Sequence, residues 1–365
     1  MKIALLGDIA LFGKFDLNTN KKAFEYFSEV SDYLKRYDLV VGNFETPVTD
    51  LKKSTVCKSA HLKTVKNNLE LLKFLNISIV NLSNNHLFDY GLEGFNSTIE
   101  ALDTNKIDYF GVDKKDFTPN GTKVCFSGYC CYSTNAVGYL TKNKKHGINV
   151  LNGFDVERKL EKDKQDGVLS IVSVHCGDEH IHYPRYDHIR LARMLSEKND
   201  YIFYGHHPHV IQGVEKYNNS LIAYSLGNFC FDDIYTKEST KPKVKQSQEN
   251  KESFILELVI EGKNLVSHSI IPLYDNGEKI IVNPENDTLM NKINEYSQYL
   301  LMSEIDYNEK RSQVRNKYIE SRKAVRDMNF YFKRLNFNTL GILLDAKKNK
   351  KEYQRNLSTY LDKNE

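Results

Sequence analysis

No stretch of this chain approaches the ~18–20 consecutive apolar residues that a bilayer span requires. Its first residues also lack a charged leader region, a long apolar core and a cleavage site, and run directly into a strand-like segment, Lys2–Leu6. These absences lead to the expectation of a cytoplasmic protein, at most peripheral at a membrane. The excess of positive over negative charge is small too, a formal net charge of +3 over 365 residues. No nucleic-acid module is visible either, so no nucleic acid is expected as a partner. The six cysteines show no CxxC spacing. Cys130 and Cys131 are adjacent, which suits neither a zinc site nor an ordinary disulfide. With Cys57, Cys125, Cys176 and Cys230 they are expected to be free buried thiols in a reducing compartment. Tryptophan is absent, so 23 Tyr and 19 Phe supply the aromatic surface.

What remains is ordinary globular composition, 40% hydrophobic and 27% charged. The length suits one large domain with an appendage, or two domains. Strand-like and helix-like patterns alternate through the first two-thirds. Helical periods run through Lys21–Arg36, Asn67–Leu75, Leu92–Leu102 and Ile189–Leu195. Helices between strands predict an α/β architecture with parallel crossovers. Ser253–Ile260 and Leu265–Leu273 flank the turn-forming 261–263, which predicts an antiparallel hairpin and hence mixed sheets. The polar, Lys-rich Tyr235–Glu252 reads as a mobile loop or a surface insertion. The main domain is placed at residues 1–280, and a helical, basic region at 281–365. Between Tyr307 and Arg355 stand 14 Lys or Arg against 5 Asp or Glu. Phe330, Phe332, Leu335, Phe337, Leu340, Ile342, Leu343 and Leu344 lie inside that segment. It is either a helical appendage packed through those residues or a surface that docks a membrane or an anionic polymer.

Six short blocks carry the chemistry: GlyAsp at 7–8, GlyAsnPheGlu at 42–45, AsnAsnHis at 84–86, HisCysGly at 175–177, HisHisProHis at 206–209 and SerLeuGlyAsn at 225–228. Each follows a short apolar run that reads as a strand: Lys2–Leu6, Leu39–Val41, Ile77–Leu82, Val168–Val174, Tyr201–Tyr204 and Leu221–Tyr224. In open α/β folds ligands gather at the carboxyl ends of strands. One such block would be weak; six in series predict a single polar site holding metal.

Asp8 is either a first ligand or a turn-capping carboxylate. His207 and His209 are two apart, so in an extended segment both imidazoles face one cluster while His206 points away. His175 ends the most apolar strand, and Glu179 follows in a polar turn with Asp178. His180, His182 and His188 read as loop residues near the substrate. Asn85 offers a carbonyl oxygen to a metal. The adjacent His86 is a candidate general acid, with Asp89 to orient it. Glu45 reaches a metal, and Asn43 either binds one or orients a loop. Asn228 reads as a backbone-organising or substrate-contacting residue.

In order and spacing these blocks resemble the CapA family of capsule and poly-γ-glutamate biosynthesis proteins, which are similar to the calcineurin-like metallophosphoesterases. The resemblance spans about residues 1–275. It implies a four-layered α/β/β/α sandwich of mixed sheets with a dinuclear centre of Mn, Fe or Zn. It also implies Asp8 and His209 on one metal, Asn85, His175 and His207 on the other, a bridging carboxylate, and His86 as general acid. Three positions depart from the pattern. Ala10 stands where the superfamily has a His, Asn43 where it has a bridging Asp, for which Glu45 would substitute, and Cys176 where the family often has Trp. The expectation is a metal-dependent phosphoesterase-like hydrolase acting on a phosphorylated or anionic polymer-related substrate. Asn43, Glu179, His206 and Asn228 are placed on the substrate. The alternative is a non-catalytic accessory subunit of a polymer synthesis complex; a nuclease is a third, weaker reading.

Overall fold

The structure, a computed structural model, describes residues 1–56, 58, 60–131, 147–235, 242–323 and 337–364. Two sheets stack face to face. The first contains, in spatial order, β13 (Ile280–Val282), β12 (Asn264–Asp275), β11 (Glu252–Glu261), β1 (Lys2–Ile9), β2 (Leu39–Phe44), β3 (Ile79–Asn81) and β4 (Asp108–Phe110), with β10 (Asn228–Cys230) also beside β1. The second runs β5 (Val124–Cys130), β6 (Leu169–His175), β7 (Tyr201–His206), β9 (Ser220–Ala223) and β8 (Val214–Tyr217). Strands β1 to β4 are parallel, as are β5, β6, β7 and β9; β11, β12, β13 and β8 run antiparallel to their neighbours. The sheets are therefore mixed, and the hairpin forms where the turn at 261–263 predicts it.

The central parallel strands are apolar on both faces because both faces are covered. Ile3, Leu5, Val41, Ile79, Phe126, Ile171 and Ile202 meet in the core between the sheets. Ala4, Leu6, Val40 and Val80 point outward into a second core. There they meet α1 (Ala23–Tyr26), α2 (Ser28–Leu34), α3 (Leu69–Phe74) and α4 (Gly91–Thr104). Val172, Val174 and Phe203 face a third core with α5 (Gly153–Asp166) and α6 (Tyr186–Lys198). The order of layers is thus helix, sheet, sheet, helix. Five cysteines, Cys125, Cys130, Cys131, Cys176 and Cys230, are buried and form no disulfide with one another; Cys57 lies outside the described residues.

The single helix expected over Lys21–Arg36 is two short ones that meet at Phe27, itself fully buried against Phe15 and Phe229. After β13 come α7 (Asp287–Tyr299), α8 (Glu304–Lys323) and α9 (Phe337–Lys363). Leu344 is 59% exposed, and the side chains of Phe330, Phe332, Leu335, Phe337, Leu340, Ile342 and Leu343 lie outside the described residues. Tyr307 on α8 and Tyr353, Leu357, Tyr360 and Leu361 on α9 enter the third core beside Ile189 and Leu160. The C-terminal helices are part of the outer helical layer.

Candidate metal centre

The centre forms where β1 exchanges one neighbour for another. Over Lys2–Leu5 it pairs with β11; at Asp8–Ile9 it pairs with β10, with an irregular register between Leu5 and Asp8. The exchange requires a close backbone approach. A Cβ on Gly7 would lie 2.0 Å from the Gly227 carbonyl oxygen, so only glycine fits. The Asp8 N–H donates to that same carbonyl at 2.9 Å. The first and last of the six blocks are therefore locked to each other, and Asp8 is aimed into the cleft between the sheets.

Asp8 is fully buried. Its Oδ1 accepts from Asn43 Nδ2 at 2.8 Å, and its Oδ2 accepts from the His207 backbone N–H at 3.2 Å. His209 Nδ1 lies 3.2 Å from Oδ2, and His206 Nδ1 3.6 Å from Oδ1. One ligand atom from each of Asp8, Glu45 and His209 falls within 4.8 Å of the others. His175 Nε2 and Asn85 Oδ1 are 3.0 Å apart, and the His175 and His207 rings are 4.8 Å apart. Bonds of ~2.0–2.2 Å place adjacent ligand atoms of one ion about 3 Å apart, which this pair matches. His207 and His209 both adopt positive φ, 92° and 57°, values that bulky residues hold only when the surroundings impose them. Asp8, Glu45 and His209 thus share one point, and Asn85, His175 and His207 form a second group beside it, with His175 Nδ1 3.7 Å from Glu45 Oε1.

Electrostatics favour a cation there. Burial alone would raise the Asp8 pKa. The hydrogen bond and charge of His209, with His206 and His175, outweigh it and hold Asp8 far below the usual carboxylate range. Glu45 is pushed well above its usual value by burial and by the Asp8 charge. Burial lowers His209, but Glu45 and Asp8 overcome it and raise it to about 10. A positive charge beside the Asp8 carboxylate is thus favoured at His209. His175 and His207 are lowered by burial, His207 to about 4, which leaves neutral imidazoles, the form that ligates metal. Glu45 Oε2, His207 Nδ1 and both nitrogens of His206 are buried without a hydrogen-bond partner. Buried polar atoms are nearly always satisfied. Orphaned oxygen and imidazole nitrogen around one point fit a divalent transition metal.

His86 stands beside this cluster at 9% exposure, with Nδ1 2.7 Å from Asp89 Oδ2. Asp89 also accepts from Lys58 Nζ at 2.8 Å and from the Leu62 N–H at 2.9 Å. Lys58 Nζ donates in addition to the Asn85 carbonyl. Burial lowers the His86 pKa, and the Asp89 charge opposes that.

The four residues expected at the substrate divide. Glu179 is partly buried, and its carboxyl is held low, against burial, by His207, His209 and His180. Asn228 Oδ1 lies 2.9 Å from His209 Nδ1, so it orients a candidate ligand. Asn43 is fully buried: its Nδ2 donates to Asp8 and Glu45 and approaches His175 Nδ1 at 3.2 Å, while its Oδ1 accepts from Asn81 at 2.9 Å. His206 is fully buried beside Asp8 and against the Tyr204 ring, with no surface toward solvent. One further expectation is corrected: His188 sits inside α6 against the Tyr353 hydroxyl and is not a loop residue. His182 lies in the loop before α6, as expected, with its ring stacked on Tyr296. Of the polar segment after Tyr235, residues 236–241 lie outside the described residues. In the rest, Asn250 Nδ2 donates to the His209 carbonyl at 2.8 Å and contacts His180 Nδ1 at 3.0 Å. Lys58 and Asn250 escaped the sequence reading because each stands in a polar stretch with no period and no motif; Asn81 escaped it because it sits inside the apolar run Ile77–Leu82.

The family model for the bacterial capsule synthesis protein PGA_cap matches residues 2–233, more than half of the chain. This chain belongs to the PGA_cap family. It is 30% identical over 249 residues to the PGA biosynthesis protein CapA of Bacillus subtilis strain 168, covering 65% of this chain and 65% of that protein. It is likewise 30% identical over 275 residues to the capsule biosynthesis protein CapA of Bacillus anthracis, covering 71% of this chain and 66% of that one. The chain thus spans just under two thirds of the length of either relative. A solved structure of the sulfate thiohydrolase SoxB from Thermus thermophilus shares 9% identity over 83% of this chain and 61% of its own, with a TM-score of 0.43. That likeness is too distant to carry a site or an activity. Among the described residues, no helix of this PGA_cap member is long and apolar enough to cross a membrane.

Proposed function

We propose that the chain is a metal-dependent phosphoester hydrolase acting on an anionic intermediate in the assembly of capsule, poly-γ-glutamate or another surface polymer. The observation behind this reading is the convergence of Asp8, Glu45, Asn85, His175, His207 and His209 around buried polar atoms without partners. Two divalent ions, Mn, Fe or Zn, are assigned to them: Asp8 and His209 for one, Asn85, His175 and His207 for the other, Glu45 between. Such ions supply a hydroxide-like nucleophile at neutral pH and clamp phosphoryl oxygens. The chain's own residues complete the chemistry. Asp89 holds His86 by Nδ1, which turns Nε2 toward the cleft and stabilises the imidazolium that a general acid needs. A substrate phosphate beside His86 favours that proton against burial. The Lys- and Arg-rich segment after Tyr307 is assigned to docking at an anionic membrane surface; vesicle binding that does not fall with added salt contradicts that part.

The test is turnover of p-nitrophenyl phosphate and bis(p-nitrophenyl) phosphate with Mn, Zn or Fe. Hydrolysis of at least one is expected; none with any metal overturns the hydrolase reading. One observation favours a second reading, a metal-containing accessory subunit that binds but does not hydrolyse. Asn43 places an amide N–H, not a carboxylate oxygen, between Asp8, Glu45 and His175.

A further inference from the structure

We infer that α8 is the outer wall of the substrate cleft, and that Arg315, backed by Tyr318, binds a second anionic group of the substrate. The inference takes from the reading above only the position of the reacting group. Helix α8 follows the 178–184 segment, which leaves the end of β6 directly after the candidate ligand His175. Residues three or four apart on a helix share a face. Tyr307, Arg311, Arg315 and Tyr318 form such a stripe. Tyr307, 1% exposed, donates its hydroxyl to the Pro184 carbonyl at 2.8 Å. Arg311, with its side chain 12% exposed, donates Nε to the Tyr183 and Pro184 carbonyls and pairs with Asp178. Arg315, 47% exposed at its side chain, meets the same Asp178 carboxylate at 3.7 Å. The Tyr318 ring lies 5.4 Å from the His180 ring, which lies 6.3 Å from the ring of His209. The stripe therefore climbs from a buried anchor to an open edge two rings from the metal centre.

Charge decides what that edge binds. Two guanidinium groups face one carboxylate, Asp178, and Arg311 already engages it closely. The more exposed guanidinium, Arg315, meets that carboxylate only at 3.7 Å and has further N–H donors to offer an anion at the rim. A guanidinium matches a carboxylate or a phosphate with two parallel hydrogen bonds. A small monoester filling the metal centre would not reach it; a polymer-like substrate bearing further carboxylates or phosphates would. Helix α8 lies outside residues 2–233, so this contact belongs to the chain's own C-terminal part.

The experiment is equilibrium binding of two probes to the full chain loaded with Mn: a hexaglutamate peptide for carboxylates and tripolyphosphate for phosphates. Arg315→Ala is expected to weaken one of them about 3- to 10-fold with Tm and metal content unchanged, and Arg315→Lys to restore part of the loss. The probe affected identifies the anion. Lys317→Ala removes the same charge from an exposed position off the stripe and is the control. Equal weakening by Lys317→Ala and Arg315→Ala, no effect of Arg315→Ala, or binding of neither probe by the wild type overturns the inference. If the Arg315 effect appears while no phosphoester is hydrolysed, the hydrolase reading fails and the anion subsite stands.

Discussion

Asp8 has three imidazoles around one carboxylate, and His86 has one carboxylate shared with a lysine; the two arrangements imply different roles. His86 is tied to Asp89 rather than to the metal cluster. His86→Asn is therefore expected to keep metal content and Tm while losing turnover by ~10²–10⁴-fold, as removal of a general acid does. Loss of metal from that variant would make His86 a ligand. Asp89 accepts from His86, Lys58 and the Leu62 N–H, and so joins the 58–62 segment to the turn after β3. Asp89→Asn leaves Lys58, whose side chain is 4% exposed, without its counter-charge. A loss of about 3–5 kcal/mol on denaturant unfolding is expected; a stability change near zero would show that the pair is dispensable. At this scale the sequence was legible where a ligand-type residue followed an apolar run, as at Asp8, Glu45, His175, His207 and His209. Lys58 and Asn250 were not legible, because nothing local distinguishes a lysine that meets a buried aspartate from one in water.

Elements place those residues, and at two points they do so by backbone contact. A Cβ on Gly7 would meet the Gly227 carbonyl at 2.0 Å, and one on Gly205 the Tyr224 carbonyl at 1.9 Å. Neither neighbour is a side chain that can swing aside. Gly7→Ala and Gly205→Ala are each expected to cost about 1–3 kcal/mol or more and to weaken metal binding by shifting Asp8 or the His207 turn. Unchanged Tm and metal affinity in both would contradict the tight joint. Strands buried on both faces were readable as unbroken β-branched runs. Strand β5, Val124–Cys130, was not, because Ser127 and Gly128 interrupt its apolar run; a Cβ on Gly128 would lie 2.1 Å from Asn81 Oδ1. Helix α5 was missed because its core stripe is narrow, mainly Val156 and Leu160 among charges. Lys21–Arg36 was read as one helix, since its period continues through Phe27 where the backbone does not.

For the whole molecule, a C-terminal region is set apart at 281–365 because motifs and strands end before it. Its long-range packing, which no local pattern reports, ties it to the rest of the chain. Tyr353, Leu357, Tyr360 and Leu361 are each under 5% exposed in the core over β6 and β7. Each contributes about 1.5–3 kcal/mol by burial. Truncation before α9 is expected to lower Tm sharply or yield insoluble protein, whereas an unchanged Tm would make α9 an ornament. His188 couples that helix to pH. Buried, with its ring nitrogen on the Tyr353 hydroxyl, it is lowered by burial from 6.5 to about 4. Between those values the unfolded chain binds the extra proton, so stability falls as pH drops from about 6.5 toward about 4. His188→Gln is expected to flatten that part of the stability profile measured by urea unfolding; an identical slope would remove His188 from the account.

The central claim is that strand ends from both sheets build one metal centre. It is tested most directly by elemental analysis of the full chain purified without chelator, alongside His209→Ala and His175→Ala. About two Mn, Fe or Zn ions per wild-type chain and about one in each variant are expected, since the two histidines are assigned to different ions. No transition metal in the wild type, even after incubation with all three, would contradict it.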